Sequence, residues 1–165
     1  MKLSIRPGRP ADIDAIVRIF RACWQVSYRN LLSEEVRSAM TQERAYELWS
    51  PTTQNDRETL IAEIESGPVG MARIGSDPDF PNRGHLFSLY IHPEDAGKGF
   101  GKALLTAALA ELKERNFIEI SLWVFQENLG ARGIYEKMGF VPTGRQRMDI
   151  RWQSLEIEML HSQIN

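Results

Sequence analysis

Cysteine is nearly absent. Cys23 is the only one in 165 residues, which excludes an intrachain disulfide framework and a thiolate metal site. It lies beside Trp24 in an amphipathic stretch, IDAIVRIFRACW, and reads as a buried structural thiol. The three histidines are scattered without ligand spacing, so no metal is expected. No apolar run approaches ~20 residues, and the opening MKLSIRPGRP lacks an apolar signal core. A soluble, cytoplasmic protein without a membrane partner is therefore expected. An excess of one charge is missing as well: 20 Lys and Arg stand against 22 Asp and Glu, a net −2. Without a basic footprint a nucleic-acid partner is not expected. The nearest thing to a basic cluster, Arg145, Arg147 and Arg151, reads as decoration of a solvated strand. Low-complexity tracts and internal repeats are also missing. The length suits one domain, residues 1–165, with a sizeable core.

What the chain does have is glycine in one telling place. Residues 86–105 read LFSLYIHPEDAGKGFGKALL. An apolar strand stops at His92-Pro93, then Gly97, Gly99 and Gly101 alternate, and an apolar pattern of helical spacing follows. A glycine loop feeding a helix start presents unpaired N–H groups with the helix dipole behind them, a site suited to phosphate. Two common phosphate loops fail by spacing. A P-loop would need Gly where Ala96 stands and Ser or Thr where Ala103 stands. The dinucleotide fingerprint places its third glycine on Lys102 or Leu104, depending on the starting glycine. A glycine-rich turn before an ordinary helix is the bland alternative.

The remaining elements follow from periodicity and punctuation. Residues 3–6 form a first strand, ended by Pro7-Gly8. Pro10 and Asp12 open a helix that buries Ile13, Ile16, Val17 and Phe20. A short helix starts at Ser33-Glu34-Glu35, and a third covers 42–49 and halts at Pro51. Strands over 59–64 and 69–74 flank the turn Ser66-Gly67-Pro68, and 77–82, DPDFPN, is a turn-rich loop. The strand over 85–91 leads into the glycine loop. The helix beyond it carries a stripe of Leu104, Leu105, Ala108, Leu109 and Leu112. A strand over 118–124 follows, then a helix over 128–138 capped by Asn128 and ended by Gly139, then strands over 146–152 and 155–160. The strands on either side of the long helix should be parallel neighbours. The fold class is α+β, with a mixed, mostly antiparallel sheet flanked by helices.

A second informative stretch, 128–140, reads NLGARGIYEKMGF. Taken with the glycine loop, it resembles the GCN5-related N-acetyltransferase superfamily, which moves acetyl from acetyl-CoA to an amine. The family's Gln/Arg-x-x-Gly-x-Gly/Ala loop corresponds here to 96–101. Its downstream Asn, small residue, Tyr and Gly-Phe correspond to Asn128, Ala131, Tyr135 and Gly139-Phe140. The opening 5–20 with Trp24 and Tyr28, and the closing strand pair, look like family members too, so the resemblance covers nearly the whole chain. One departure is clear: Ala96 stands where relatives carry Gln or Arg. Losing one bracing hydrogen bond costs about 0.5–1.5 kcal/mol, or about 1.5–3 kcal/mol if charged. Weaker CoA binding is expected, not its absence.

The resemblance implies the acyl-CoA N-acyltransferase fold and acetyl-CoA as co-substrate. In that fold the two parallel strands splay, and their freed backbone, here Leu89, Tyr90 and Ile91 against 125–128, bonds the pantetheine arm as another strand would. Gly97, Gly99 and Gly101 would cradle the pyrophosphate, with Lys98 and Lys102 beside it and Phe100 packed beneath. Asn128 could cap its helix, bond the cofactor, or both. Tyr135 matches the family's general acid, since a phenol of pKa ~10 can protonate a thiolate of pKa ~8.5. A backbone N–H at Tyr90 or Ile91 would stabilise the thioester oxygen. Where several relatives place a Glu base, this chain has His85, whose neutral imidazole could take the ammonium proton. The alternatives are a solvated His85 at the strand start, or water in place of a dedicated base; His92 reads as decoration.

The acceptor would be a primary amine of a small molecule or a peptide. Trp24, Tyr28, Trp49, Phe80 and Trp152 are candidate walls, and Glu34, Glu35 and Glu43 candidate attractants for a cation. A non-catalytic acetyl-CoA sensor is the competing function. Many relatives pair as homodimers, yet no exposed heptad or apolar stripe here demands one.

Overall fold

A computed structural model describes residues 2–50 and 57–163. Its frame is a seven-stranded sheet in the order β1-β2-β3-β4-β5-β7-β6. The strands are β1 (Ser4–Pro7), β2 (Glu58–Ile64), β3 (Gly67–Ser76), β4 (Gly84–Ile91), β5 (Glu119–Phe125), β6 (Val141–Asp149) and β7 (Ser154–Ser162). The helices are α1 (Ile13–Val26), α2 (Glu34–Ala39), α3 (Gln42–Trp49), α4 (Phe100–Glu114) and α5 (Leu129–Lys137). Among the described residues only β4 and β5 pair in parallel; the other neighbours are antiparallel. That is the arrangement expected when a crossover helix, α4, joins two strands of one sheet. Among the described residues no helix is long and apolar enough to cross a membrane.

Strand alternation divides the core between the two faces. Leu60, Ala72, Ile74, Leu86, Ile120, Leu122 and Met159 face α4, where Leu104, Leu105, Ala108, Leu109 and Leu112 pack on them. Ile61, Met71 and Phe125 face the other way, against Ile16, Val17, Phe20 and Trp24 of α1 and Ala45 and Trp49 of α3. Burying each large aliphatic side chain contributes about 1.5–3 kcal/mol, so the α4 stripe is the main anchor of the glycine loop at its head. Ser33 and Thr41 accept hydrogen bonds from the amides of Val36 and Arg44 and so start α2 and α3. Pro51, the expected stop of α3, lies outside the described residues.

One expected strand needs correction. The penultimate strand runs over Val141–Asp149, not 146–152, and Arg151 and Trp152 lie in the turn beyond it. Val141-Pro142 and Gly144 read as a break, but a bulge absorbs them: the register on β7 shifts between Pro142 and Gln146, with Gly144 at φ 88°. The arginine cluster does sit on this exposed segment, but its charges are paired. Arg145 binds Glu158 and Asp79, Arg147 binds Glu156, and Arg151 binds Asp149.

Candidate active site

Three residue pairs hold β4 to β5: Gly84 with Ile120, His85 with Ser121, and Leu86 with Leu122. Beyond Leu86 the strands separate. Ser88–Ile91 remain paired with β3 on one side only, while β5 continues alongside β7 to Phe125. The β3 register skips Phe87, so a bulge sits where the two strands part. The amide of His92 donates to Val69 O in β3 at 2.8 Å. Alternation therefore turns the backbone groups of Ile91 and Leu89 away from β3 and into the gap, and those of Tyr90 toward β3. Of the two amides expected to serve the thioester oxygen, Ile91's faces the opening.

The glycine loop closes one end of the gap. Gly97 and Gly99 take φ of 77° and 84°, a region that side chains rarely adopt, and open space surrounds the place of a Cβ at each. Gly99 precedes α4 and has no side chain to cap it, and the first bond into the helix is Ala103 N to Gly99 O, 3.1 Å. The amides of Phe100, Gly101 and Lys102 are the uncapped ones at the positive end of the dipole. Phe100 is buried under the loop with the α4 core, as its sequence position suggests. Lys98 pairs with Asp95 at 2.7 Å, and Lys102 stands exposed on the first turn. Ala96 is extended and exposed, its amide on Pro93 O. These features fit a diphosphate-bearing ligand: uncapped amides, glycines that leave room, and two lysines.

On the far side of the gap, Asn128 caps α5 by accepting from Ala131 N at 3.2 Å, the local role foreseen for it. Further along α5, Tyr135 is buried edge-on against Phe140. Burial, reinforced by the nearby Tyr90, pushes its hydroxyl well above the ordinary phenol value, so it holds its proton at neutral pH. Burial likewise lifts Tyr90 to about 12. The same effect lifts Cys23, whose Sγ donates to Ile91 O at 3.1 Å, to about 12. Cys23 is the buried structural thiol its context suggested.

A cleft of about 370 Å³ lies where the strands part, with residues of α1, β4, β5 and α5 on its walls and none of the glycine loop. Tyr90, Asn128 and Tyr135 border it, and so do four of the five aromatic walls named from sequence: Trp24, Tyr28, Trp49 and Trp152. Trp24 and Trp152 meet edge-on at 4.7 Å between centroids. Phe80 is not among the lining residues; it lies half-exposed beneath Arg83 and Arg145. Glu34, Glu35 and Glu43 do not reach this cleft either, since they belong to α2 and α3 surfaces beyond it. His92 ends β4 and accepts from Glu94 N.

His85 is neither solvated nor isolated. It is buried on the wall of the cleft, its Nδ1 2.7 Å from Ser121 Oγ. Ser121 in turn donates to Asp77 Oδ2. Burial works against the Asp77 carboxylate, but the His85 ring 3.7 Å away and hydrogen bonds from Ser121 and the Asp79 amide outweigh it and hold its pKa well below the usual range. Arg73, buried with its guanidinium 4.2 Å over the Trp49 ring, is pulled down to about 10 by burial and by Arg57. Asp77, Ser121 and Arg73 carry no motif: DPDFPN reads as a turn, and a lone Ser or Arg in a strand reads as solvated. The available signal was Ser121 between Ile120 and Leu122, a polar residue on a strand buried on both faces.

Comparison with known proteins agrees with this geometry. A probable N-acetyltransferase of Mycobacterium tuberculosis is 27% identical over 146 residues, covering 87% of this chain and 82% of the relative. A spermidine N(1)-acetyltransferase of Thermoplasma acidophilum is also 27% identical over 146 residues, covering 85% and 89%. Among solved structures, an N-acetyltransferase of T. acidophilum in complex with coenzyme A superposes with a TM-score of 0.77 at 23% identity. It covers 98% of this chain and 99% of its own. The sequence model of the acetyltransferase (GNAT) family matches residues 13–140, from the start of α1 to the Gly-Phe that ends α5. With the parted parallel strands and the glycine loop inside that span, the chain belongs to the acetyltransferase (GNAT) family.

Proposed function

We propose that this protein transfers the acetyl group of acetyl-CoA to a primary amine, on a small molecule or a peptide, by direct attack. The observation that carries this is the parting of β4 from β5 after three pairs, with β4 leading on into the glycine loop and the uncapped start of α4, and Tyr135 on the wall of the cleft. Leu89 offers its backbone groups and Ile91 its amide to a pantetheine arm, the Ile91 carbonyl being held by Cys23, with Tyr90 behind them and Asn128 opposite. Gly97, Gly99, Phe100, Gly101 and Lys102 present amides to a pyrophosphate, and Lys98 exchanges Asp95 for it. Acetyl-CoA supplies the acyl carbon and the thiolate leaving group. The C–N bond forms as the C–S bond breaks. His85 takes one ammonium proton to free the amine, Tyr135 gives its phenolic proton to the thiolate and regains one from the nitrogen as the amide forms, and the Ile91 amide stabilises charge on the thioester oxygen.

The relative from T. acidophilum is named for spermidine, but the cleft here is not uniformly acidic. Of its carboxylates, Asp79, Asp149 and Glu156 are each paired with an arginine. The acceptor panel should therefore hold spermidine, free amino acids and short peptides. Isothermal titration with acetyl-CoA, followed by thiol release across that panel, tests the proposal. Micromolar binding with turnover on one amine is expected; binding without turnover would favour the sensor alternative. No binding at millimolar acetyl-CoA would overturn both.

A further inference from the structure

His85 is one end of a buried chain whose hydrogen-bond directions can be worked out. We propose that Asp77 and Ser121 are positioning residues that fix His85 with Nδ1 as donor, leaving Nε2 as the only nitrogen that can accept a proton. This rests on the reading of His85 as the proton acceptor.

The three residues come from three parts of the chain: Asp77 follows β3, His85 opens β4 and Ser121 lies in β5. They meet because β4 and β5 still pair at that level, His85 directly beside Ser121. All three are buried, with exposures of 4% for Asp77, 4% for His85 and 0% for Ser121, the first two on the wall of the cleft. Asp77 cannot rotate freely. Its Oδ1 accepts from the amides of Asp79 (2.8 Å) and Phe80 (3.2 Å), and its own amide is held by Arg83 O at 2.9 Å. That leaves Oδ2 for Ser121.

An ionised carboxylate only accepts, and a serine hydroxyl has one proton. Ser121 spends that proton on Asp77. The Gly84 carbonyl, 3.4 Å from Ser121 Oγ, is the weaker competitor for it. At 2.7 Å from His85 Nδ1, Ser121 Oγ must then accept, so Nδ1 carries the hydrogen. In the neutral ring Nε2 is thereby left with its lone pair. The ring plane is further held by Phe87, packed edge-on with centroids 4.5 Å apart. A proton arriving from the amine can add only at Nε2, and Nδ1–H keeps its bond to Ser121 before and after.

The test reads the tautomer directly. Long-range ¹⁵N–¹H spectra of labelled protein resolve three histidines, with His85 assigned from His85→Gln. The expected result is a neutral His85 with Nδ1 protonated and Nε2 bare. In Asp77→Asn the amide donates to Ser121, the hydroxyl proton swings to Nδ1, and the ring should convert to Nε2–H. With the panel's best amine, kcat should fall about 10²-fold, the scale of one general base, with acetyl-CoA affinity unchanged. Should Asp77→Asn fail to fold, the wild-type spectrum still decides, and Ser121→Ala should keep Nδ1–H, because Asp77 Oδ2, 3.7 Å from Nδ1, is then its only acceptor. A wild-type ring protonated at Nε2, a ring unmoved by Asp77→Asn, or one converted by Ser121→Ala would overturn the proposal. So would conversion of the ring with kcat intact. His85→Gln then separates the causes: if it too keeps kcat, the reading of His85 as base has failed; if it loses kcat, only the positioning has.

Discussion

At the scale of single residues, Ala96 and Tyr135 make the sharpest predictions. Ala96 is exposed and extended at the mouth of the glycine loop, so a longer side chain there meets solvent and ligand, not core. Ala96→Gln should tighten acetyl-CoA binding by about 2–10-fold, the worth of one hydrogen bond of about 0.5–1.5 kcal/mol. Titration calorimetry checks it, and unchanged affinity would show that the loop amides alone hold the diphosphate. Tyr135→Phe removes an oxygen and keeps the ring contact with Phe140. Turnover should drop about 10²-fold or more at unchanged acetyl-CoA affinity. A variant with wild-type kcat would strip Tyr135 of its role as acid.

Two glycines predict opposite outcomes at the scale of elements. Gly99 stands before α4 at φ 84°, and nothing lies within 4 Å of where a methyl would stand, so Ala there costs backbone strain alone, about 1–2 kcal/mol. Gly99→Ala should fold, melt a few degrees lower and bind acetyl-CoA more weakly, because the strain re-aims the α4 amides. Gly133 lies inside α5 with the same open surroundings but without a positive φ. Gly133→Ala should stabilise by about 0.4–1 kcal/mol, a rise of about 1–4 °C in Tm. A fall in Tm there would mean that the methyl meets something the free protein does not show. The contrast also explains what was legible in the sequence. Gly97, Gly99, the α4 stripe, the Asn128 cap and the parallel pair follow from local chemistry and connection rules. The parting of β4 from β5 came only from the family resemblance, since nothing in 86–91 or 122–125 encodes where pairing stops. The true start of β6 was hidden because Pro142 and Gly144 signal a break that a bulge can absorb. The Asp77–Ser121–His85 chain was hidden because its members are 36 and 44 residues apart and meet only through sheet register.

For the molecule as a whole, acid stability has a predictable sign. The Arg6 guanidinium, bonded to both Asp12 oxygens at 2.8 Å, holds that carboxyl below its usual range, and Asp77 and Asp149 are also held low. Their contributions are complete above the unfolded value of about 3.9 and vanish as pH falls through the lower folded values. Glu156, lifted by burial, acts oppositely: its contribution is present below about 4.3 and lost as pH rises through its folded value. Three groups against one predict a Tm that declines below about pH 4, with a shallower decline in Asp12→Asn. Thermal melts from pH 2 to 7 check this; a flat acid limb in the wild type would refute it.

The single thiol gives the chain a built-in reporter. Cys23 is 3% exposed, is lifted to about 12 and is bonded to the strand at the gap, so a disulfide reagent should find no thiolate to attack in the native state. Colour developed during acetyl transfer then belongs to released CoA alone. In denaturant the same reagent counts opened molecules, one equivalent per chain, and its labelling rate becomes a clock for global unfolding.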